Sequence, residues 1–451
     1  MAITTIQMRE GKELVGENGQ RYLLVQAMGQ PNVWIAVDAA TQEKLYIVKQ
    51  PSDDDDMPGW PRFQHEMVMH ELFKEHDAIR PQLDRIPPTS HADPPKLVLE
   101  LLQTTLWDAR RKREFSDAEL KQVMRQILLG LQEVHQRGLV YADLKMENIL
   151  LSNFVPSASS STPSSTSPNP SKPDITAKLG DLGIVMSPMR GTVQPLAYRA
   201  PEVYFRQEIT PAADIWSWGL IYCQLLEAQA SFQNSGLYDE LLQGNGTGFV
   251  QKELSVRRAI AKDFDLGGVR YYDGCGLEGM GREGGQWEAL RRKGVGERAI
   301  GFLKWILNPV PGERPTAEQI LNSEWLASTF REDATPASTS SSTITPSTTT
   351  PAHPPAQKPR KNSEPSLVTK LYNQITNTKR DRSPDSESSS QTREEQRNVR
   401  PTPLTDFGAR EADAAVNVRE QKGVTDRPGT ARSSSVDVGT GTFLNYGGLM
   451  G

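Results

Sequence analysis

YADLKMENILL, residues 141–151, is followed after a Ser/Thr/Pro-rich interruption by AKLGDLG, residues 177–183, and these two stretches decide the fold. Each closes or opens a short apolar run on charged and amide side chains: Asp143, Lys145 and Asn148 in the first, Asp181 in the second. Taken singly, such residues are weak signals, because Asp and Asn at strand ends also cap turns. Their meaning comes from the segments that flank them and from the order in which those occur.

Upstream, residues 21–49 alternate in the strand manner as YLLVQAM, VWIAV and KLYIVK, with turns at 29–32 and 39–43, which predicts a three-stranded antiparallel start. Phe63, Met67, Met69 and Leu72 predict a helix over 62–75, and LVLELL, 97–102, a buried strand. After Ser116 the pattern turns helical. Ser116 to Glu119 is a capping box, and Leu120, Val123, Met124, Ile127, Leu128, Leu131 and Val134 recur at helical spacing until Gly138. Further helices are predicted near 213–227 and 295–309, with a last short one from Arg314 to Leu326. The pattern is a small β-rich first lobe with one helix and a larger, mainly helical second lobe.

Two stretches are too polar to bury a core. Residues 155–174 are almost all Ser, Thr and Pro, and the chain from about 331 to 451 is rich in Ser, Thr, Pro, Gln and Arg. Both are expected to be disordered. The formal charge of −5 over 451 residues gives no global field for nucleic acid or an anionic membrane. Two cysteines, Cys223 and Cys275, exclude a disulfide framework and fit a reducing compartment, cytoplasmic or nuclear. The first twenty residues do not read as a secretory signal, and the most apolar run, 216–226, is too short to span a bilayer.

The ordered set resembles the eukaryotic protein kinases. YADLKMEN is similar to that family's catalytic loop H-R-D-L-K-x-x-N, and DLG to its D-F-G element. YIVK, 46–49, is similar to V-A-I-K, YRAPEV, 198–203, to the A-P-E element, and DIWSWG, 214–219, to the helix whose Asp braces the catalytic loop. The resemblance implies a bilobal α+β fold over 15–330, with lobes at 15–102 and 103–330, a 1–14 extension and a 331–451 tail. It implies ATP and Mg2+ as cofactors and phosphoryl transfer to Ser/Thr hydroxyls of a protein substrate. In these terms Asp143 handles the hydroxyl proton, Lys145 steadies the transferring phosphate, and Asn148 and Asp181 hold the metal. Lys49 would hold the phosphates and Glu66, rather than Glu71, would be its partner. Leu99 would be the gatekeeper, the backbone of Glu100 and Leu102 would face adenine, and Gly29 and Leu150 complete the nucleotide set. Glu202 and Arg314 would pair inside the second lobe.

The chain departs from the family at several places. MGQPNVW, 28–34, keeps one glycine of the expected three, and Pro31 has no amide hydrogen to offer a phosphate. Ala142 replaces the arginine that meets a phosphorylated activation segment, Pro195 the usual threonine, Tyr141 a histidine and Leu182 a phenylalanine. The alternative is therefore a pseudokinase, a scaffold or nucleotide-binding module with little turnover. A third possibility gives the tail the main role, since Thr162, Ser167, Thr335, Thr345, Thr350 and Ser383 precede proline and phosphorylation there would create docking sites for regulatory partners. The acidic run 53–56 and the basic patch 358–361 are plainer as solvated loop and tail, and Trp107, Trp216, Trp218 and Cys223 as packing.

Overall fold

The computed structural model describes residues 7–327 except 53–54, 56–59, 91, 157–174, 231–235, 244–247 and 278–284. Most of the Ser/Thr/Pro interruption, the tail with its basic patch and Ser/Thr-Pro positions, and most of the acidic run lie outside the described residues. The first lobe is a six-stranded antiparallel sheet: β1 (Glu13–Val15), β2 (Arg21–Ala27), β3 (Val33–Asp38), β4 (Leu45–Lys49), β5 (Gln82–Ile86) and β6 (Lys96–Glu100), in the order β1-β2-β3-β4-β6-β5. One helix, α1 (Pro61–Leu72), crosses between β4 and β5. Alternation along these strands sorts the apolar residues onto two faces. Tyr22, Leu24, Ala36, Val48 and Val98 pack outward under Met8 and Leu14, while Ile35, Ile47, Leu97 and Leu99 pack inward with Phe63 of α1. The sheet thus takes in residues ahead of position 15.

The expected three-stranded start is correct in its members and incomplete. β1 is three residues long, and β5 runs against its hydropathy: Leu83 is exposed, while Asp84 is buried and accepts from the Tyr22 hydroxyl at 2.9 Å.

The second lobe opens with β7 (Thr104–Thr105), α2 (Leu106–Arg110) and α3 (Asp117–Gln136). The Ser116 side chain accepts from the Glu119 N–H and the Glu119 carboxylate from the Ser116 N–H, so the capping box closes in both directions. β7 continues into a three-stranded sheet with β8 (Ile149–Ser152) and β9 (Thr176–Leu179), which bracket the interruption. β10 (Met189–Arg190) and β11 (Glu208–Ile209) pair across α4 (Pro201–Tyr204). Then come α5 (Pro211–Ala230), α6 (Asp239–Leu242), α7 (Phe249–Asp263), α8 (Gln286–Arg292), α9 (Glu297–Ile306), α10 (Ala317–Leu321) and α11 (Glu324–Ala327). α5 is apolar around its circumference and runs through the core, where Trp216, Trp218 and Cys223 are fully buried. Among the described residues no helix is long and apolar enough to cross a membrane.

Glu202 of α4 and Arg314, both fully buried, form a two-pronged pair at 2.6 and 2.7 Å. The guanidinium also donates to the carbonyls of Asn308 and Ala212 and lies over the Trp216 ring at 4.9 Å. Glu202→Ala would leave this cation without its counter-ion in the core. We expect a loss of roughly 3–5 kcal/mol in urea denaturation, with the Glu202→Ala/Arg314→Met double variant recovering part of it.

Candidate active site

Asp214, in the first turn of α5, has no solvent contact. Its carboxylate accepts from the backbone N–H of Tyr141 at 2.7 Å and of Ala142 at 2.9 Å, and lies 3.0 Å from His135 Nε2 on α3. Those bonds hold Ala142 at φ +64, a left-handed conformation that costs a residue with a Cβ about 1–2 kcal/mol. The reversal sends Asp143 toward the cleft, where Lys145 Nζ reaches both of its oxygens at 2.8 and 3.0 Å. Asn148 Nδ2 bonds the Asp143 side chain at 2.7 Å and its carbonyl at 3.0 Å. Tyr141, in the histidine position, donates its hydroxyl to the Gly180 carbonyl at 2.5 Å and so ties the loop to the residue before Asp181.

From the first lobe, Lys49 at the end of β4 places Nζ 2.6 Å from Glu66 on α1 and 3.4 Å from Asp181. Glu66 is buried, whereas Glu71 is exposed and spends its charge on Lys74 and Arg85. Five polar residues from four separate segments, Lys49, Glu66, Asp143 with Asn148, and Asp181, thus meet in one cleft. Their environments push them apart. The Lys49 charge, with Lys145 behind it, holds Asp181 well below the usual carboxylate range, while burial raises Asp143 against the pull of Lys145. Burial raises Glu66 as well, against Lys49. Burial acts to lower Lys49, but Asp181 and Glu66 outweigh it and the ammonium is held more firmly than usual.

Asn148 spends its amide nitrogen on Asp143, which leaves its Oδ1 without a donor among the described residues. A free amide oxygen and an ionised, partly exposed Asp181 are hard oxygen donors of the kind that could hold a magnesium ion.

Of the residues expected to seat a nucleotide, Leu99 is buried against Ile47 and Leu97 under the sheet, Leu102 is buried, and Leu150 lies on β8 one position past Ile149. The Glu100 carboxylate pairs with Lys178 at 2.7 Å. Gly29 does adopt φ +70 in the β2–β3 turn, but the turn is closed on itself and on β4. Met28 N–H donates to Val33 O at 2.7 Å, Trp34 Nε1 to Pro31 O at 2.8 Å, and Asn32 Nδ2 to the carbonyl of Gln50 at 3.1 Å, next to Lys49. In the segment after Asp181, Gln194 is left-handed at φ +71 and its carbonyl accepts from Arg199 at 2.9 and 3.2 Å.

Three side chains at the rear of the site gave no sign in the sequence. His65 Nε2 lies 2.6 Å from the Val185 carbonyl and joins α1 to the segment after Asp181. His70, one turn beyond Glu66, is buried, and Arg80 reaches the Glu100 carbonyl. A histidine at i+4 from a helix carboxylate reads as an exposed pair, so only the tertiary contacts reveal it.

A family model described as "Protein kinase domain" matches residues 29–326. The chain is 26% identical over 254 residues to ribosomal protein S6 kinase alpha-4 of Homo sapiens, covering 54% of this chain and 27% of that protein. It is 25% identical over 281 residues to the mitogen-activated protein kinase spk1 of Schizosaccharomyces pombe, covering 59% and 66%, and 30% identical over 152 residues to cyclin-dependent kinase F-3 of Oryza sativa, covering 32% and 30%. The chain therefore spans less than two-thirds of the length of each.

Burial, with the charges of Arg80 and Lys49, pushes the His70 imidazole down to about 3. A histidine that is neutral when folded but titrates near 6.5 when unfolded stabilises the fold above that pH, and the stability is lost as pH falls toward the folded value. Between pH 6.5 and 5, wild type should lose roughly 1.5 kcal/mol more than His70→Leu in chemical denaturation. Equal losses would show that His70 is not held neutral.

Proposed function

We propose, for a chain that belongs to the protein kinase family, that this cleft transfers the terminal phosphoryl group of a nucleoside triphosphate, ATP by the family's habit, to serine or threonine hydroxyls of a protein substrate. The observation that carries the proposal is the meeting of Lys49, Glu66 and Asp181 across the lobes with Asp143 held in place by Lys145 and Asn148.

In this reading each residue has one task. Lys49, kept charged and steered by Glu66, binds the phosphates beneath the turn of Gly29, while Leu99, Leu150 and the backbone of Glu100 and Leu102 seat the base. Asp181 and Asn148 hold magnesium, which when bound neutralises charge on the phosphate oxygens. Asp143 receives the hydroxyl proton, and its raised pKa brings it nearer to the value that suits a base at neutral pH. Lys145, 2.8 Å from Asp143, would steady the phosphoryl group as it passes to the acceptor. The domain would run to about 330 with the lobes divided near 102, and it would start ahead of residue 15, where Met8 and β1 already belong to the first lobe. One observation favours the scaffold alternative: the β2–β3 turn commits Met28, Asn32 and Trp34 to its own closure instead of to a phosphate.

The deciding experiment supplies wild-type chain, magnesium and labelled ATP, with GTP in parallel, to a generic basic protein. Asp143→Asn and Lys49→Met should each lower transfer roughly 10²-fold or more. Transfer from neither nucleotide by folded protein would move the chain to the scaffold reading. The pH profile adds an independent check. Because Asp143 works ionised and its pKa is raised, kcat/KM should fall on the acid side above the ordinary aspartate range of about 4. Lys145→Met removes the opposing charge and should move that limb to still higher pH.

A further inference from the structure

Arg80 takes no part in the set above, yet it reaches into the same cleft. Its backbone N–H donates to the Leu179 carbonyl at 2.8 Å and Ile79 bridges Leu179, so its Cα stands beside the strand that leads into Asp181. From there the side chain crosses to the segment joining the lobes, where Nε donates to the carbonyl of Glu100 at 2.7 Å. The N–H of the same Glu100 donates to Pro81, so both backbone groups of that residue are engaged by the Arg80–Pro81 pair. Arg80 is only half-buried, and among the described residues neither Nη makes a hydrogen bond. Burial lowers its pKa to about 10, against the attraction of Asp181, Glu100 and Glu66, so the group is a cation at neutral pH.

This arrangement alters what the base subsite can accept. The Glu100 carbonyl belongs to the backbone assigned above to the base, and it already receives a charged N–H. An incoming amine would meet a cation that offers only donors, since a guanidinium has no acceptor. A base with acceptors on that edge meets the opposite case. The O6 and N7 atoms of a 6-oxopurine match the fork of an arginine, the pairing by which arginine reads guanine in nucleic acids.

We propose that Arg80 sets the base specificity of this cleft, favouring a 6-oxopurine nucleotide such as GTP over ATP. The proposal rests on the nucleotide-binding reading above and names its ligand class.

The test measures equilibrium binding of magnesium complexes of ATP, GTP and ITP to the full chain, wild type and Arg80→Met, which keeps an apolar stem and removes the donors. A bidentate arginine pair discriminates by roughly 5- to 140-fold, the equivalent of about 1–3 kcal/mol. GTP and ITP should bind wild type tighter than ATP by a factor in that range, and Arg80→Met should tighten ATP and abolish the preference. ATP binding wild type as well as GTP does would overturn the proposal, and so would ITP binding as weakly as ATP, which would place the preference at the 2-amino group. A thermal melt reports whether Arg80→Met folds, and the wild-type order decides the matter without it. If the order holds but no phosphoryl group moves, base selection stands and the transferase reading falls. Transfer from ATP in preference to GTP gives the reverse, and binding of neither nucleotide sinks both.

Discussion

The buried carboxylate of Asp214 is the constraint from which the site is built. A charge with no access to water is tolerated only when donors surround it, and here the donors are the N–H groups of Tyr141 and Ala142 with His135 beside them. Satisfying Asp214 forces the loop into a left-handed turn at Ala142. That turn aims Asp143 outward and brings the Tyr141 hydroxyl onto Gly180, one residue before Asp181. The positions of Asp181 and Asp143 are therefore consequences of one interaction in the core of the second lobe. Ala142 has no guanidinium to read a phosphorylated segment, but it supplies the N–H that Asp214 needs, and the loop is formed without any modification.

The electrostatics follow from where each carboxylate lies relative to the two lysines. Asp181 faces Lys49 and has Lys145 behind it, so it stays ionised and suits a cation ligand. Asp143 shares Lys145 with the rest of the cleft and is raised by its burial. Two carboxylates held apart in this way can divide metal binding from proton acceptance, whereas two of equal acidity at close range could not. Lys49 links the lobes through its ammonium, which pairs with Glu66 of α1 in its own lobe and with Asp181 of the segment after β9 in the other. Any motion of α1 away from the sheet breaks its shorter contact first.

The parts legible in the sequence were those where chemistry dictates residue type. Asp143, Lys145, Asn148, Asp181 and Lys49 stand at fixed offsets within motifs, and their meeting in one cleft follows from fold topology. Long periodic elements were equally plain: α3 carries its capping box and its apolar stripe, and β2 to β4 alternate. What failed to show had a physical reason in each case. β1 is too short to display a period. β5 turns a carboxylate inward and a leucine outward. Helix α7 buries only Val256, Ile260 and Ala261 of its fifteen residues, too narrow a stripe to stand out among its charges. The rear of the cleft was invisible because nothing local to His70 or Arg80 announces burial.

That rear wall is where local and global preferences disagree most. His70 is buried with neither ring nitrogen hydrogen-bonded, and Gln82 Oε1 is buried without a donor among the described residues, a cost of about 1–3 kcal/mol for each such group. Aliphatic side chains would fill the same space more stably, as Ile47, Leu97 and Leu99 do nearby. Arg80, between them in the chain, is the member that does find a partner, the backbone carbonyl of Glu100. Locally unfavourable residues persist where a function requires them. A polar wall makes sense if Arg80 must remain charged and extended, since an apolar wall would raise the cost of holding a cation there. His70 fits that wall by staying neutral: protonated, it would set a third positive charge beside Lys49 and Arg80.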